Sequence, residues 1–105
     1  MTDAQLARLT LQAARELIKS GQYSYICNAL DAVGSKHPLR RRASRSLTSW
    51  IGVLLGIYMT YDSWIVGNHP NLGEVRCFAD QCRQARLDWI DWMLTQDLGE
   101  VMKKY

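Results

Sequence analysis

Apolar residues recur every three or four positions along most of the chain, the spacing of amphipathic helices. Residues 3 to 20 show this first, with a wide apolar arc opposite a narrow polar side formed by Arg8, Gln12, Arg15 and Lys19. Thr2 or Asp3 suits the start of this helix, and Gly21 suits its end. So wide an apolar face predicts that the helix contacts two neighbours.

Two further helices are predicted in the first half of the chain. The second runs from about Ser24 to Val33, with Gly34 as its stop. The third begins at Pro38, because a proline at the first helical position loses no hydrogen bond, and it continues to about residue 58. Its inner side collects apolar residues in steps of three or four, namely Leu39, Ala43, Leu47, Trp50, Ile51, Leu54, Ile57 and Tyr58.

The second half of the chain predicts a short helix over Tyr61 to Val66, a turn over Gly67 to Pro70 and a long last helix from about Gly73 to Leu98. An apolar stripe of near-heptad spacing indicates the last helix. It consists of Val75, Phe78, Ala79, Cys82, Ala85, Trp89, Trp92 and Met93. No stretch alternates convincingly with the period of a strand. We therefore predict one all-α domain over residues 1–105, a compact bundle of four or five helices.

The outer side of the third helix is lined by small residues. Ser49, Gly52 and Gly56 follow Arg45 in steps of three or four. We expect this contact strip, Ser49, Gly52 and Gly56, to receive another backbone of the same chain or of a second subunit, with Trp64 at its border. The pattern thus leaves a homo-oligomer open.

The same helix raises a membrane alternative. Leu47 to Tyr61 carries no charge, and the arginines before it would obey the positive-inside rule. A span needs about 20 apolar residues, however, and Asp62 ends this run early. Residues 1 to 11 also lack a signal-peptide core, because Arg8 interrupts them. A membrane partner is disfavoured, and we expect a cytoplasmic protein.

The three cysteines indicate a reducing environment. Their number is odd, and none of them forms a C-x-x-C pair: they are Cys27, Cys77 and Cys82. Both facts disfavour a disulfide framework and a structural zinc site. Cys27 and Cys82 fall on predicted apolar faces, where cysteine behaves as a small hydrophobe. We expect both to be shielded and Cys77, on a polar side, to be reactive.

Catalytic and metal-binding patterns are absent from the sequence. His37 and His69 each precede a proline, are expected in turns and have no carboxylate at ligand spacing. Asp88 and Asp91 lie one turn apart on a predicted solvated face, whereas acid–base catalysis by paired carboxylates needs a desolvated pocket. No nucleophile elbow, phosphate-binding glycine loop or zinc-protease motif is present. We predict no enzyme, no cofactor and no metal site.

The strongest functional signal is a cluster of arginines at the start of the third helix, Arg40, Arg41, Arg42 and Arg45. Lys36 to Arg45 holds five bases and no acid, whereas the whole chain has a formal net charge of +3, so the basic excess is entirely local. All but Arg40 project away from the predicted apolar face. The cations also occupy the positive end of the helix dipole, an unfavourable placement whose repetition points to function.

Several interpretations of the arginine cluster remain open. The cations bind an acidic protein surface or nucleic-acid phosphates, they form a solvated face, or they contact membrane lipid or the protein's own acids, such as Asp88 and Asp91. Arginine suits carboxylates and phosphates alike, but no helix-turn-helix or basic–aromatic interleaving favours nucleic acid. We therefore predict a non-enzymatic accessory protein that binds another protein, with a nucleic-acid-binding accessory or regulatory protein as the alternative.

Three fragments of the chain resemble small uncharacterised accessory proteins of tailed bacteriophages and prophages. They are YICNAL (25–30), TYDSW with NHP (60–64 and 68–70) and ARLDWIDWM (85–93). The resemblance implies a bacterial cytoplasm and an accessory role during infection or lysogeny, such as blocking a host defence complex. It assigns no activity and no site residue, and the arginine cluster is not part of its pattern.

Overall fold

The computed structural model describes residues 1–55, 67–69, 73–75 and 83–105. These ranges contain five α-helices: α1 Asp3–Lys19, α2 Ile26–Lys36, α3 Arg41–Leu55, α4 Arg83–Leu94 and α5 Leu98–Lys104. A 3₁₀ turn, Pro38–Arg40, precedes α3, and two three-residue strands, β1 Gly67–His69 and β2 Gly73–Val75, pair antiparallel. The predicted all-α bundle is confirmed, with this small hairpin as an addition.

Helix α1 lies at the centre of the bundle and contacts α2, α3, α4 and α5. Its start is the predicted one: the Thr2 hydroxyl accepts from the Gln5 N–H at 3.1 Å, and the Gln5 side chain accepts from the Thr2 N–H at 2.8 Å. Gly21 follows its end with φ of 81°, a left-handed conformation that glycine adopts without strain. The wide apolar face serves more neighbours than the two predicted, and its buried apolar residues are Ala7, Leu11, Ala14 and Ile18.

Helix α2 continues past Gly34, so the prediction that this glycine stops the helix was wrong. Gly34 is buried where α2 and α3 approach closely, and a Cβ atom on it would lie 3.0 Å from the Ser44 Cβ. In the same contact the Ser44 hydroxyl donates to the Leu30 carbonyl at 2.7 Å. The helix ends instead at Lys36, two residues before Pro38, because a proline disfavours helical geometry in the residue before it.

The segment before α3 differs from the predicted helix start. Pro38–Arg40 forms a 3₁₀ turn, closed by the Arg40 N–H donating to the His37 carbonyl at 2.7 Å. A 3₁₀ turn has three residues per turn instead of 3.6, so the α-helical wheel does not apply to Leu39. The prediction that Leu39 faces the core was wrong, since it is 87% exposed. The rest of the described inner side follows the prediction, with Ala43, Leu47, Trp50 and Ile51 buried.

The predicted last helix, Gly73 to Leu98, was wrong at its start. Gly73–Val75 is strand β2, and its register with β1 pairs Asn68 with Glu74. A three-residue strand is too short to show the alternation of apolar and polar residues that identifies strands. The same hairpin places His69 in β1 and not in the predicted turn.

The described end of the chain holds two helices where one was predicted. Helix α4 ends at Leu94, and the hydroxyl of the next residue, Thr95, donates to the Trp92 carbonyl at 2.6 Å. The Asp97 carboxylate then accepts from the Glu100 N–H at 3.1 Å and caps α5. An aspartate predicted inside a helix therefore begins a new one, the position that its short acceptor side chain favours.

Among the described residues, the core contains one charged side chain, which the helical wheels did not single out. Arg86 on α4 is fully buried, and its guanidinium carbon lies 5.4 Å from the centroid of the Tyr25 ring at the start of α2. This distance allows a cation–π contact. Aromatic contacts continue along α4, where the Trp89 and Trp92 rings meet edge to face with centroids 5.7 Å apart.

Several predictions lie outside the described residues. They concern the end of the third helix, the short helix Tyr61 to Val66, Phe78, and the exposure of Cys77 and Cys82. Within the described ranges, no helix combines the length and the apolar character that crossing a bilayer requires.

We expect Cys27 to resist thiol reagents in the native protein. Its side chain is 5% exposed and belongs to the apolar core, so a reagent reaches it only when the structure opens. Peptide mapping after timed alkylation should show Cys27 modified about a hundredfold more slowly in native protein than in urea. Equal rates in the two conditions would contradict the packing of α2.

Candidate functional site

The four arginines of the cluster surround the start of α3 in different environments. Arg40 ends the 3₁₀ turn and is half-buried, whereas Arg41, Arg42 and Arg45 are exposed on α3. Arg42 forms an ion pair with Asp3, the first residue of α1, and the two side chains are 62% and 50% exposed. An exposed pair of this kind stabilises a fold by at most about 1 kcal/mol. Arg42 therefore has a weak internal partner on the α1 side of the cluster.

Arg41 and Arg45 lie on the other side, one turn apart along α3. They line a groove of about 210 Å³ between α2 and α3, hereafter the arginine groove, whose other lining residues are Asp31, Gly34, Ser35 and Ser44. Neither guanidinium forms an ion pair or hydrogen bond with any residue that the structure describes. Gly34 and Ser44 are in close contact between the two helices, and both line the groove together with the arginines.

Asp31 on α2 brings a carboxylate to the same groove. Its side chain is exposed, and among the described residues it has no ion-pair or hydrogen-bonding partner, Arg41 and Arg45 included. The arginine groove thus presents two cations and one anion, all available to a ligand.

A second depression adjoins the arginine groove along the outer side of α2. It measures about 410 Å³, and Asp31 and Ser35 line both depressions. Its remaining lining residues are Tyr23, Asn28, Ala32 and Lys36. This surface was not predicted from the sequence, although the polar and small residues on the outer side of α2 recur at helical spacing, a pattern typical of an exposed face.

The acids proposed as internal partners of the cluster are held elsewhere. The Asp91 carboxylate accepts from the Arg15 guanidinium at 2.7 and 3.1 Å, and this hydrogen bonding raises the pKa of Arg15 above its ordinary value. Asp88 accepts from the Gln84 amide at 2.9 Å. The hypothesis that Asp88 and Asp91 pair with the cluster was wrong, because Asp3 is the acid that contacts it.

The predicted contact strip is described only in part. Ser49 is exposed and Gly52 is buried, while Gly56 and Trp64 lie outside the described residues. A contact surface at this strip requires that Gly52 be covered, and Gly52 is buried. Strand β1 is one of the elements that contact α3. The strip remains a prediction.

Exposed guanidinium groups such as those of Arg41 and Arg45 are suited to binding anions, because their planar forks donate paired hydrogen bonds to carboxylates and phosphates. In the part of the chain that the structure describes, no three His, Cys, Asp or Glu side chains gather closely enough to hold a metal ion. No family model, curated protein or solved structure matches the chain.

Proposed function

We propose that this protein binds an acidic surface of another protein through Arg41 and Arg45, with Arg40 and Arg42 at the edge of the contact, and that it performs no catalysis. The observation that carries the proposal is the arginine groove, where two exposed guanidinium groups have no acidic partner among the described residues. Each can donate charge-assisted hydrogen bonds, which are about twice as strong as neutral ones.

The spacing of the two arginines suits carboxylates on a protein. One turn of α3 separates them by about 6 Å along the axis. Acidic side chains on neighbouring turns of a partner helix, or at alternate positions of a strand, have a similar separation. Leu39 supports the same class of partner, since its side chain, 87% exposed beside the cluster, offers apolar surface that a protein interface buries.

The carboxylates among the arginines favour a protein over a nucleic acid. Asp31 lines the arginine groove, and Asp3 pairs with Arg42 at the opposite side of the cluster. Double-stranded DNA carries about one negative charge per 1.7 Å, so a phosphate backbone lying across this surface would meet both acids. An acidic protein differs from DNA because it can present carboxylates to the cations and leave the positions that face Asp3 and Asp31 without an anion.

The phage resemblance supplies a setting for the proposal. In a bacterial cytoplasm, an accessory protein of this kind would bind a host or phage protein, and blocking a host defence complex requires binding alone. This setting is supported by the three sequence fragments and by no residue of the arginine groove.

Replacing Arg41 and Arg45 together by Gln should weaken partner binding at least tenfold, about 1.4 kcal/mol. The melting temperature should hold, because both side chains are exposed and have no partner among the described residues. Wild type and variant are immobilised, exposed to the same bacterial lysate, and the captured proteins are identified and quantified by mass spectrometry. The proteins lost with the variant should be acidic.

Arg42→Gln is the matched control, since it makes the same chemical change beside the groove at a residue that already contacts Asp3. It should reduce capture less than the double variant does. Binding of a labelled DNA duplex, measured by fluorescence anisotropy at the same ionic strength, tests the alternative. Loss of DNA binding without loss of any captured protein would favour a nucleic-acid-binding protein. Equal capture by wild type and double variant would show that the cluster is only a solvated face.

A further inference from the structure

We propose that Asp31 determines which charge pattern the arginine groove accepts. In this view the groove is selective for a protein segment that carries acids together with a base, and it discriminates against pure polyanions. The inference rests on the proposed function and deepens it, because it names the chemistry of the partner segment.

The size of the groove brings any occupant close to Asp31. A volume of about 210 Å³ is shared by Arg41, Arg45 and Asp31 across the gap between α2 and α3. It corresponds to about seven water molecules at roughly 30 Å³ each, so it holds one or two side chains. A carboxylate that binds either guanidinium inside the groove therefore shares this space with the Asp31 side chain.

The adjoining depression indicates that the occupant is a chain segment and not a single ion. The two depressions share Asp31 and Ser35, and the second extends along α2 to Tyr23, with Lys36 among its lining residues. A peptide bound to Arg41 and Arg45 can therefore continue along the outer side of α2. Asp31 lines both depressions, so a segment that continues from the groove along α2 passes it.

The expected discrimination follows from the charge of the residue that meets Asp31. Two unit charges about 6 Å apart in water change an affinity about threefold. A polyanion always places a like charge beside Asp31 and loses about this factor. A mixed segment can place a lysine or arginine there and gains a similar factor, so Asp31 shifts the ratio of the two affinities by about tenfold in favour of the mixed segment. Repulsive contacts of this kind are a general source of binding specificity.

The test replaces Asp31 by Asn and compares two synthetic peptides of equal length, polyglutamate and a peptide of interleaved Glu and Lys. Fluorescence anisotropy at one fixed ionic strength measures both affinities. The ratio of mixed-peptide affinity to polyglutamate affinity should be about tenfold higher for wild type than for the Asp31→Asn variant. In the Asp31→Asn variant, polyglutamate binding should rise about threefold and mixed-peptide binding should fall. Folding should be unaffected, because Asp31 is exposed and its carboxylate forms no hydrogen bond or ion pair with the described residues.

Glu16→Gln is the matched control, since Glu16 is an exposed acid on α1 that does not line the groove, and its loss changes the net charge equally. It should raise the affinity for polyglutamate by much less than threefold, because Glu16 is remote from the groove, and leave that for the mixed peptide unchanged, because this peptide has no net charge. An unchanged polyglutamate affinity in Asp31→Asn, an equal rise for both peptides, or no measurable binding of the mixed peptide to wild type would each overturn the role of Asp31.

The double variant of Arg41 and Arg45, run in the same assay, separates this inference from the proposed function. If the double variant binds both peptides as wild type does, the proposed function fails and the inference fails with it. If the double variant loses binding but Asp31→Asn binds both peptides as wild type does, the proposed function holds and the selectivity does not.

Discussion

Replacing Arg86 by Ala is expected to lower the free energy of unfolding by about 3 kcal/mol, the scale of truncating a large buried side chain. Arg86 is among the largest fully buried side chains, and its guanidinium lies over the Tyr25 ring. The substitution removes this cation–π contact between α4 and Tyr25, and it leaves a cavity in a closely packed core. Urea unfolding followed by tryptophan fluorescence measures the loss.

Arg83→Ala is the matched control for this prediction. Arg83 begins the same helix and is exposed, so its removal should change stability by only about 0.5 kcal/mol. Arg86→Lys should recover part of the loss, because lysine restores the charge without the planar group that covers the ring. If Arg86→Ala and Arg83→Ala unfolded at the same urea concentration, Arg86 would not be a core residue.

Arg86 also illustrates a limit of prediction from sequence. Its position on a helical wheel does not reveal that Tyr25, far away in the chain, covers it. The ends of α1 could be predicted because their signals are local: Thr2 and Gln5 cap each other, and Gly21 adopts its conformation within its own turn. Contacts between distant elements carry no such local signal.

The predictions that Gly34 ends α2 and that Leu39 faces the core were wrong for related reasons. A glycine within a helical pattern fits either a helix end or a close approach of two helices, and only Ser44 on α3 distinguishes these alternatives. Leu39 has the right spacing for an inner position, but the wheel assumes an α-helix where the chain forms a 3₁₀ turn. In both cases the sequence shows the residue type and its spacing, but it does not show the backbone geometry and the packing that decide where the residue lies.

The candidate site was predictable as a set of residues but not as an arrangement. The local excess of arginine is visible in the sequence. The division of the cluster between two neighbouring helices is not visible in the sequence. Arg42 contacts Asp3 on α1, whereas Arg41 and Arg45 line the groove beside α2. Which helix each guanidinium faces depends on how α1 and α2 pack around the start of α3, and that packing brings Asp31 into the site.

Replacing Gly34 by Leu should lower the free energy of unfolding by about 3 kcal/mol. A Cβ atom at this position would lie 3.0 Å from the Ser44 Cβ and 3.2 Å from its hydroxyl oxygen, so α2 and α3 must separate. Overpacking a core typically costs about 1–3 kcal/mol. Separation also strains the buried hydrogen bond from Ser44 to the Leu30 carbonyl, and a buried group left without its partner costs about 1–3 kcal/mol. The better helix propensity of leucine offsets less than about 1 kcal/mol of this.

Alanine variants and a double-mutant cycle locate the cause of that loss. Gly34→Ala should lose about 1 kcal/mol, because overpacking exceeds the gain in helix propensity. Gly99→Ala, whose added Cβ would come no closer than 3.4 Å to the atoms around it, should be neutral or slightly stabilising. Ser44→Gly removes both atoms that the new Cβ would meet, so Gly34→Ala combined with Ser44→Gly should lose less than the sum of the two single losses. Strictly additive losses would show that Gly34 and Ser44 are not in contact, and that another feature sets the separation of the helices that form the arginine groove.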